Sequence, residues 1–463
     1  MKATKILAIL VLVILAAGLA LCQEDKVEST LPSPVLQGPG HLGGEAPQLA
    51  TQSDLATHNV ILGGITLGAA FDSKGLYHAP AVPGDTGYAT SDTRFFAQPS
   101  LAFQQTLKNV AWTLSYTPGV SISEHNTSDY QYAHNVAGDL TWMPSHRVLI
   151  HLRQDYSLST NPFETVGRVP LLPGLGGPLG PNYEGVLPET RRTSLVSNAD
   201  ITFRLGPHTS LGFTGGFQKY DYASLSTGGG TLPVNFINSQ VVNASAFFSE
   251  QLSASQTIGV QAIYSDIYSY GAETARTQAP TVLLYDTWQV NPHTTLTLFA
   301  GPEYVRSRDV LPITFLGITI YIPFYEHSWE YMAGGTFTWM GRRNALDITG
   351  SRRISPGGGL MGTVAATYGG VAFRTRWTPR WTTELRVNFT DQTGADLLGS
   401  GMAFRTFWAG GSVVRDLGRH FAIRVDAAYV RQMGTGLGLI PGNHVLVQGS
   451  LDYHFEKGLG GTR

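Results

Sequence analysis

The chain has 463 residues, of which 42% are hydrophobic and only 14% charged, and its formal net charge is −2. That balance, without any basic helix or RNA-binding motif, removes nucleic acid from the expected partners. Beyond the N-terminus no apolar run reaches the roughly 18 residues of a membrane-spanning helix, so any crossing of a bilayer must be made by strands. Abundant Gly, Thr, Ser, Tyr and Phe favour strands and turns over solvated helices.

Residues 1–22 read as an export signal, since Lys2 and Lys5 precede an apolar stretch from Ile6 to Leu21. Cys22 is the only cysteine, which excludes an intramolecular disulfide. Two readings stand for it. Leu19-Ala20-Leu21-Cys22 resembles a lipoprotein box with a thiol to be lipidated, although Leu21 is bulky where Gly or Ala is wanted. The simpler reading places Ala20 and Cys22 at the small-residue positions of an ordinary cleavage site, with Gln23 as the mature start. Residues 23–57 carry Pro32, Pro34, Pro39 and Pro47 among Gly, Ser and acidic residues, a flexible leader with no period of either kind.

From His58 to Phe455 the chain repeats segments of roughly ten to fourteen residues that alternate apolar and polar, the pattern of strands with one lipid-facing and one water-facing side. Val110, Trp112, Leu114 and Tyr116 alternate with Ala111, Thr113 and Ser115, and Phe421, Ile423, Val425, Ala427 and Tyr429 enclose Ala422, Arg424, Asp426 and Ala428. Short polar turns fall near residues 105–109, 143–147, 206–208, 251–255, 291–293, 341–343, 378–380 and 415–420. Longer Gly-, Pro- and Ser-rich connections lie between them, the longest from Ser159 to Arg192. Eight short turns join sixteen strands, and a strand at each end (58–71 and 444–455) makes about eighteen. The expectation is an all-β, transmembrane, antiparallel up-and-down barrel over 58–455, followed by a short tail at 456–463, with both termini at the short-turn end.

Tryptophans gather where such a barrel meets the membrane interface. Trp112, Trp142, Trp288, Trp339, Trp377 and Trp381 all sit close to a proposed short turn and form the expected girdle, with Trp329, Tyr116, Tyr156, Tyr304 and Tyr429 at the opposite rim. The last strand places Val445, Val447, Gly449, Leu451, Tyr453 and Phe455 on one face. Here the chain resembles the broad class of bacterial outer-membrane β-barrels of porin-like type, whose final strand alternates in this way and ends in an aromatic residue. It departs from that class in that Glu456 to Arg463 continue beyond Phe455. The resemblance implies export to the outer membrane, a leader in the periplasm, and outer-membrane lipid and the barrel assembly machinery as partners.

Residues for enclosed chemistry are scarce. No GxSxG elbow, phosphate loop, HExxH or CxxC occurs. Histidines are scattered at no metal-ligand spacing, and no cofactor is implied. The run from Pro173 to Pro178 is a loop breaker without the strand and helix that a phosphate loop needs. His134, Asn135, His151, Asp155 and Ser157 lie on neighbouring strands, with His134 on the lipid-facing parity and His151 and Asp155 on the lumen parity; hydrogen bonding along the lumen is the simpler account than a hydrolase.

Between Gly341 and Arg431 thirteen arginines face six acids. Alternation points Arg374, Arg376, Arg386 and Arg424 into the lumen beside Glu384 and Asp426, either as a basic strip that favours anions or as an Arg–carboxylate ladder bracing the wall. The segment from Leu311 to Tyr325, with Pro312, Phe315, Ile318, Ile320 and Phe324, is too apolar to stand in water at roughly 25 cal/mol per Å², and is expected to fold inward as a constriction or pack on other loops, with a wall-extending hairpin as the alternative. A barrel of this size encloses an aqueous channel unless loops fill it. The leading expectation is porin-like passive diffusion of small polar solutes, with an anion preference if the strip is a filter; the rivals are an interaction barrel with a blocked lumen and, behind it, an outer-membrane hydrolase.

Overall fold

Alternation of apolar and polar residues forces every strand of this chain to lay one face on an apolar medium and the other on a polar one. The computed structural model resolves how that is met over residues 59–73, 91–107, 109–124, 131–159, 190–224, 237–270, 274–315, 318–357, 362–395, 403–435 and 442–458, the residues the structure describes. Residues 1–58, including the export signal, Cys22 and the leader, lie outside them, as does the run from Pro173 to Pro178.

Eighteen strands follow one another: β1 (Asn59–Asp72), β2 (Asp92–Thr106), β3 (Val110–Ser123), β4 (Gln131–Ser145), β5 (Val148–Ser159), β6 (Thr190–Arg204), β7 (Thr209–Ser224), β8 (Asn238–Ser253), β9 (Gln256–Tyr270), β10 (Thr274–Asn291), β11 (Thr294–Phe315), β12 (Ile318–Met340), β13 (Asn344–Pro356), β14 (Thr363–Thr378), β15 (Trp381–Gly394), β16 (Ala403–Asp416), β17 (Phe421–Thr435) and β18 (Gly442–Gly458). Each pairs antiparallel with its sequence neighbours, and β1 also pairs with β18, so the sheet is a closed up-and-down barrel of the expected strand number. Closure removes the two free edges that would otherwise carry unpaired amides. All eight expected short turns join consecutive strands, several tied by a backbone bond across the turn such as Leu107 N–H to Val110 O at 2.7 Å and Leu417 N–H to Phe421 O at 2.8 Å.

The seam between first and last strands shows how local sequence permits closure. Gly63 stands opposite Phe455, and a Cβ there would run into the phenyl ring, so the missing side chain gives the ring its place. Pairing continues past that aromatic: Glu456, Lys457 and Gly458 align with Leu62, Ile61 and Val60, and the first residues of the expected tail belong to the last strand.

Two features depart from a uniform cylinder. First, the apolar segment expected to fold inward is the top of the β11–β12 hairpin, paired in register from Leu311↔Ile322 to Phe315↔Ile318. The expectation of a constriction at Pro312, Phe315, Ile318, Ile320 and Phe324 is therefore corrected. β-Branched residues alternating with Thr and Tyr satisfy their backbone as strands, and ladder pairing competes successfully with an inward fold. Second, β12 and β13 separate above Ala333↔Arg352, whereas β13 stays paired with β14 up to Pro356↔Thr363. The free end of the β13–β14 hairpin thus leaves the line of the wall.

Gly63→Val should crowd Phe455 at the seam and destabilise the barrel by about 1–3 kcal/mol. We expect a lower temperature for the loss of the compact, fast-migrating form on gels of unheated samples, while Gly369→Ala, where a Cβ would meet nothing within 4 Å, leaves it unchanged.

Candidate functional site: the lumen and its constriction

Which face is the lumen is settled by burial along single strands. On β15, Leu385, Val387 and Phe389 are exposed while Arg386, Asn388 and Thr390 are buried, and on β17 Ile423 and Val425 are exposed while Arg424 and Asp426 are buried. On these strands large apolar groups therefore cover the outside and polar groups the inside, whereas on β9 to β12 the inside also holds a buried apolar cluster of Ile263, Leu283, Tyr285, Phe299 and Met332. The six tryptophans near the short turns all share the outward parity; Trp142, Trp288 and Trp377 are exposed, and Trp112 donates its indole N–H to Gln105 Oε1 at 2.8 Å. Trp408 breaks the pattern. It points inward and is buried with Phe404, Thr406 and Val430, a filling of the lumen that outward-girdle reasoning had no means to anticipate.

Arg374, Arg376, Arg386 and Arg424 lie on the inward side, beside Glu384 and Asp426. Arg374 stands directly opposite Glu384 in the ladder. Glu384 takes a bond from Arg374 Nη2 at 3.2 Å and another from Arg386 Nη2 at 2.5 Å, so one carboxylate links guanidiniums on two strands. Arg424 lies 4.0 Å from Asp452, which belongs to the neighbouring strand. Asp416 pairs in register with the buried Ala422 and shares the inward side. The four inward arginines are matched in formal count by the four inward carboxylates Glu384, Asp416, Asp426 and Asp452, with ion pairs joining Arg374 and Arg386 to Glu384 and Arg424 to Asp452. Arg386 and Arg424 are 5% and 7% exposed, too covered to line a wide water-filled pore. Charges so deep in a wall need partners, and the arrangement is that of a brace.

A second polar cluster lies on the opposite stretch of wall. His151 of β5 meets Asp139 of β4 through Nε2 at 2.8 Å and Asp200 of β6 through Nδ1 at 3.2 Å. Asp155, the partner that sequence spacing offered, is held instead by Arg153 Nε at 2.7 Å. With a carboxylate facing each ring nitrogen, His151 has no nitrogen left to take a proton from a serine hydroxyl, which removes the general-base role a hydrolase would ask of it. His134 faces outward, as its parity with Val136 implies, and its Nδ1 lies 3.0 Å from Tyr116 Oη. Among the described residues no group of three His, Cys, Asp or Glu side chains could hold a metal ion.

Part of the wall itself turns inward. Where β13 leaves β12, the β13–β14 tip lies against the inner faces of β8 to β11: Ile354 and Ala365 join Val241, Ile267, Ala279 and Val305 in one buried apolar cluster. Polar contacts fasten it. Thr363 Oγ1 donates to Thr277 Oγ1 at 2.9 Å, Thr277 Oγ1 is 3.0 Å from Ser307 Oγ, and the Ile354 N–H donates to Glu303 Oε2 at 3.4 Å. Arg353, Ile354 and Ser355 are all buried, so this stretch presents neither face to lipid. The signal was present in the sequence as a loss of alternation: Arg352-Arg353-Ile354-Ser355-Pro356 ahead of consecutive glycines cannot make a strand with one apolar side.

Glu384→Gln removes the carboxylate shared by two arginines, one of them buried, and should destabilise the folded barrel by about 3 kcal/mol, read as a lower urea midpoint. Glu326→Gln, on the exposed part of β12, should leave the midpoint unchanged. Equal midpoints for Glu384→Gln and the parent would remove the bracing role.

Neither a protein-family profile nor a curated protein sequence matches the chain. Among solved structures it is similar to the ferric citrate transporter FecA in its unliganded form, at 11% identity and a TM-score of 0.43, covering 83% of this chain and 61% of that one. It is also similar to OccAB4 of Acinetobacter baumannii, at 8% identity and a TM-score of 0.39 over 88% of this chain and 100% of that one. OpdQ of Pseudomonas aeruginosa gives 10% identity and a TM-score of 0.38, over 87% and 99%. The chain thus spans about three fifths of the length of the ferric citrate transporter.

Proposed function

We propose that this chain is an exported outer-membrane barrel that lets small polar solutes diffuse passively through a narrow lumen, restricted by its own β13–β14 hairpin. The observation that carries the membrane placement is the outward belt of exposed Leu, Val, Phe and Trp around a closed ring whose inner face is polar along much of the wall and apolar at the buried clusters of β8 to β14. A charged side chain on the lipid face near the bilayer centre costs roughly 2–4 kcal/mol in such barrels, and Arg386 of β15 and Arg424 of β17 point inward and are buried instead. Polar lining supports passage of solutes that carry their own hydrogen-bonding groups; burial of that lining supports a passage narrower than an open ring of this strand number provides. The balance of inward arginines and carboxylates supports no anion preference on that side of the wall. A blocked lumen is the second reading, favoured by Trp408 and Phe404 pointing inward and buried.

Single-channel recording in planar bilayers separates them. Small, stable conductance steps are expected, with a reversal potential near zero in a salt gradient. Removing residues 356–362, the tip between β13 and β14, should raise the step severalfold, whereas removing residues 312–323 from the β11–β12 hairpin should leave it unchanged. Insertion of folded protein with no conductance in either deletion would establish the blocked barrel.

A further inference from the structure

The outer faces of β9 to β12, at the end away from the short turns, carry a basic group that neither the lumen nor the fold uses. Arg276 of β10 stands directly opposite Arg308 of β11, and Arg306 stands opposite Gln278 on one side and His327 on the other. All three guanidiniums face outward: Arg306 and Arg308 are exposed between the buried Val305, Ser307 and Asp309, and the Arg276 side chain is 53% exposed. Among the described residues one carboxylate serves the group. Asp266 accepts from Arg276 Nε at 2.9 Å and from Nη2 at 2.6 Å. Arg308 lies over the Tyr325 ring at 5.7 Å, and Arg306 has no ion-pair partner among the described residues. Like charges placed directly across a strand pair are destabilising, and here two arginines meet that way with a third beside them.

Position along the strands says what would relieve this. The next outward residue below Arg306 is Tyr304, whose ring is 5.1 Å from that of Trp329, itself 72% exposed. Below them Val282, Leu284 and Leu298 are exposed. Two residues along a strand advance about 7 Å, and the strands of membrane barrels are tilted, so the arginines stand roughly 5–10 Å above an aromatic rim that itself caps the apolar belt. In a bilayer that is the height of the lipid headgroups.

We propose that Arg276, Arg306 and Arg308 form a binding site for the phosphate of an anionic lipid in the leaflet at this end of the barrel. The site rests on the membrane placement proposed above. Guanidinium forks match phosphate oxygens two at a time, and one phosphate between Arg306 and Arg308 would screen the Arg276–Arg308 repulsion while the acyl chains lie along Val282, Leu284 and Leu298. The aromatic pair Tyr304 and Trp329 then borders the headgroup from below.

The test is native mass spectrometry of the full barrel released from micelles that contain a diphosphorylated acyl-glucosamine lipid, in parallel with the same lipid stripped of phosphate. Retention of the phosphorylated form alone is expected, with at least a tenfold loss of retention in Arg306→Gln/Arg308→Gln and partial recovery in Arg306→Lys/Arg308→Lys. Each variant is first shown to keep heat-modifiable migration, and these exposed side chains lie outside the braces described above. Equal retention of both lipids, unchanged retention by the Gln variant, or displacement of the lipid by inorganic phosphate at matched concentration would overturn the site. The two proposals fail separately: a barrel that conducts but ignores the phosphate loses only the lipid site, and one found monomeric in detergent-free buffer loses the membrane placement first.

Discussion

An open antiparallel sheet leaves amides and carbonyls unpaired at its first and last strands, and in an apolar medium each such group costs several kcal/mol. Pairing of β1 with β18 along nearly their whole length removes that cost here, and the remaining architecture depends on it. Once the ring is closed, side chains have only two directions to take. The period of two then assigns Leu385 and Val387 outward and Arg386 and Asn388 inward without further choice. Closure also explains small details, such as Gly63 leaving room for Phe455.

A closed ring creates an interior that must be filled or wetted, and this chain fills much of it. Trp408, Phe404 and the β13–β14 tip bring apolar atoms inside, while Glu384 ties Arg374 to Arg386 along the wall. These arrangements have different consequences. A carboxylate shared by two guanidiniums fixes neighbouring strands in register and neutralises one of the two positive charges. The hairpin tip, fastened by Thr363 to Thr277 and by Ile354 to Glu303, is joined to β12 only as far as Arg352. It is the part of the wall that reaches the inner faces of β8 to β11.

Much of this was legible in the residues. Strand number, the eight short turns and the facing of Arg386, Arg424 and Asp426 follow from alternation, because the pleat makes parity a geometric fact. One element was misjudged, because neither apolarity nor alternation says whether a segment stays paired in the wall. Leu311 to Tyr325 looked too apolar for a loop and proved to be paired strand. Arg353 to Pro356, buried on both sides, announce their departure from the wall only by a loss of alternation. Partner choice across strands was equally hidden, since His151 is held by Asp139 and Asp200, each brought to it by register, and not by the nearby Asp155.

The central claim is that the exposed apolar belt faces lipid. Depth-dependent quenching of tryptophan fluorescence by brominated lipids tests it most directly. Because Trp142, Trp288 and Trp377 sit near one rim on the outward face, bromines placed close to the headgroup should quench strongly and bromines near the acyl-chain end weakly. A variant retaining only Trp408, buried inside the ring, should be quenched little by either. Emission unaffected by bromine at every depth in the parent protein, with the chain recovered from the aqueous phase, would contradict the account.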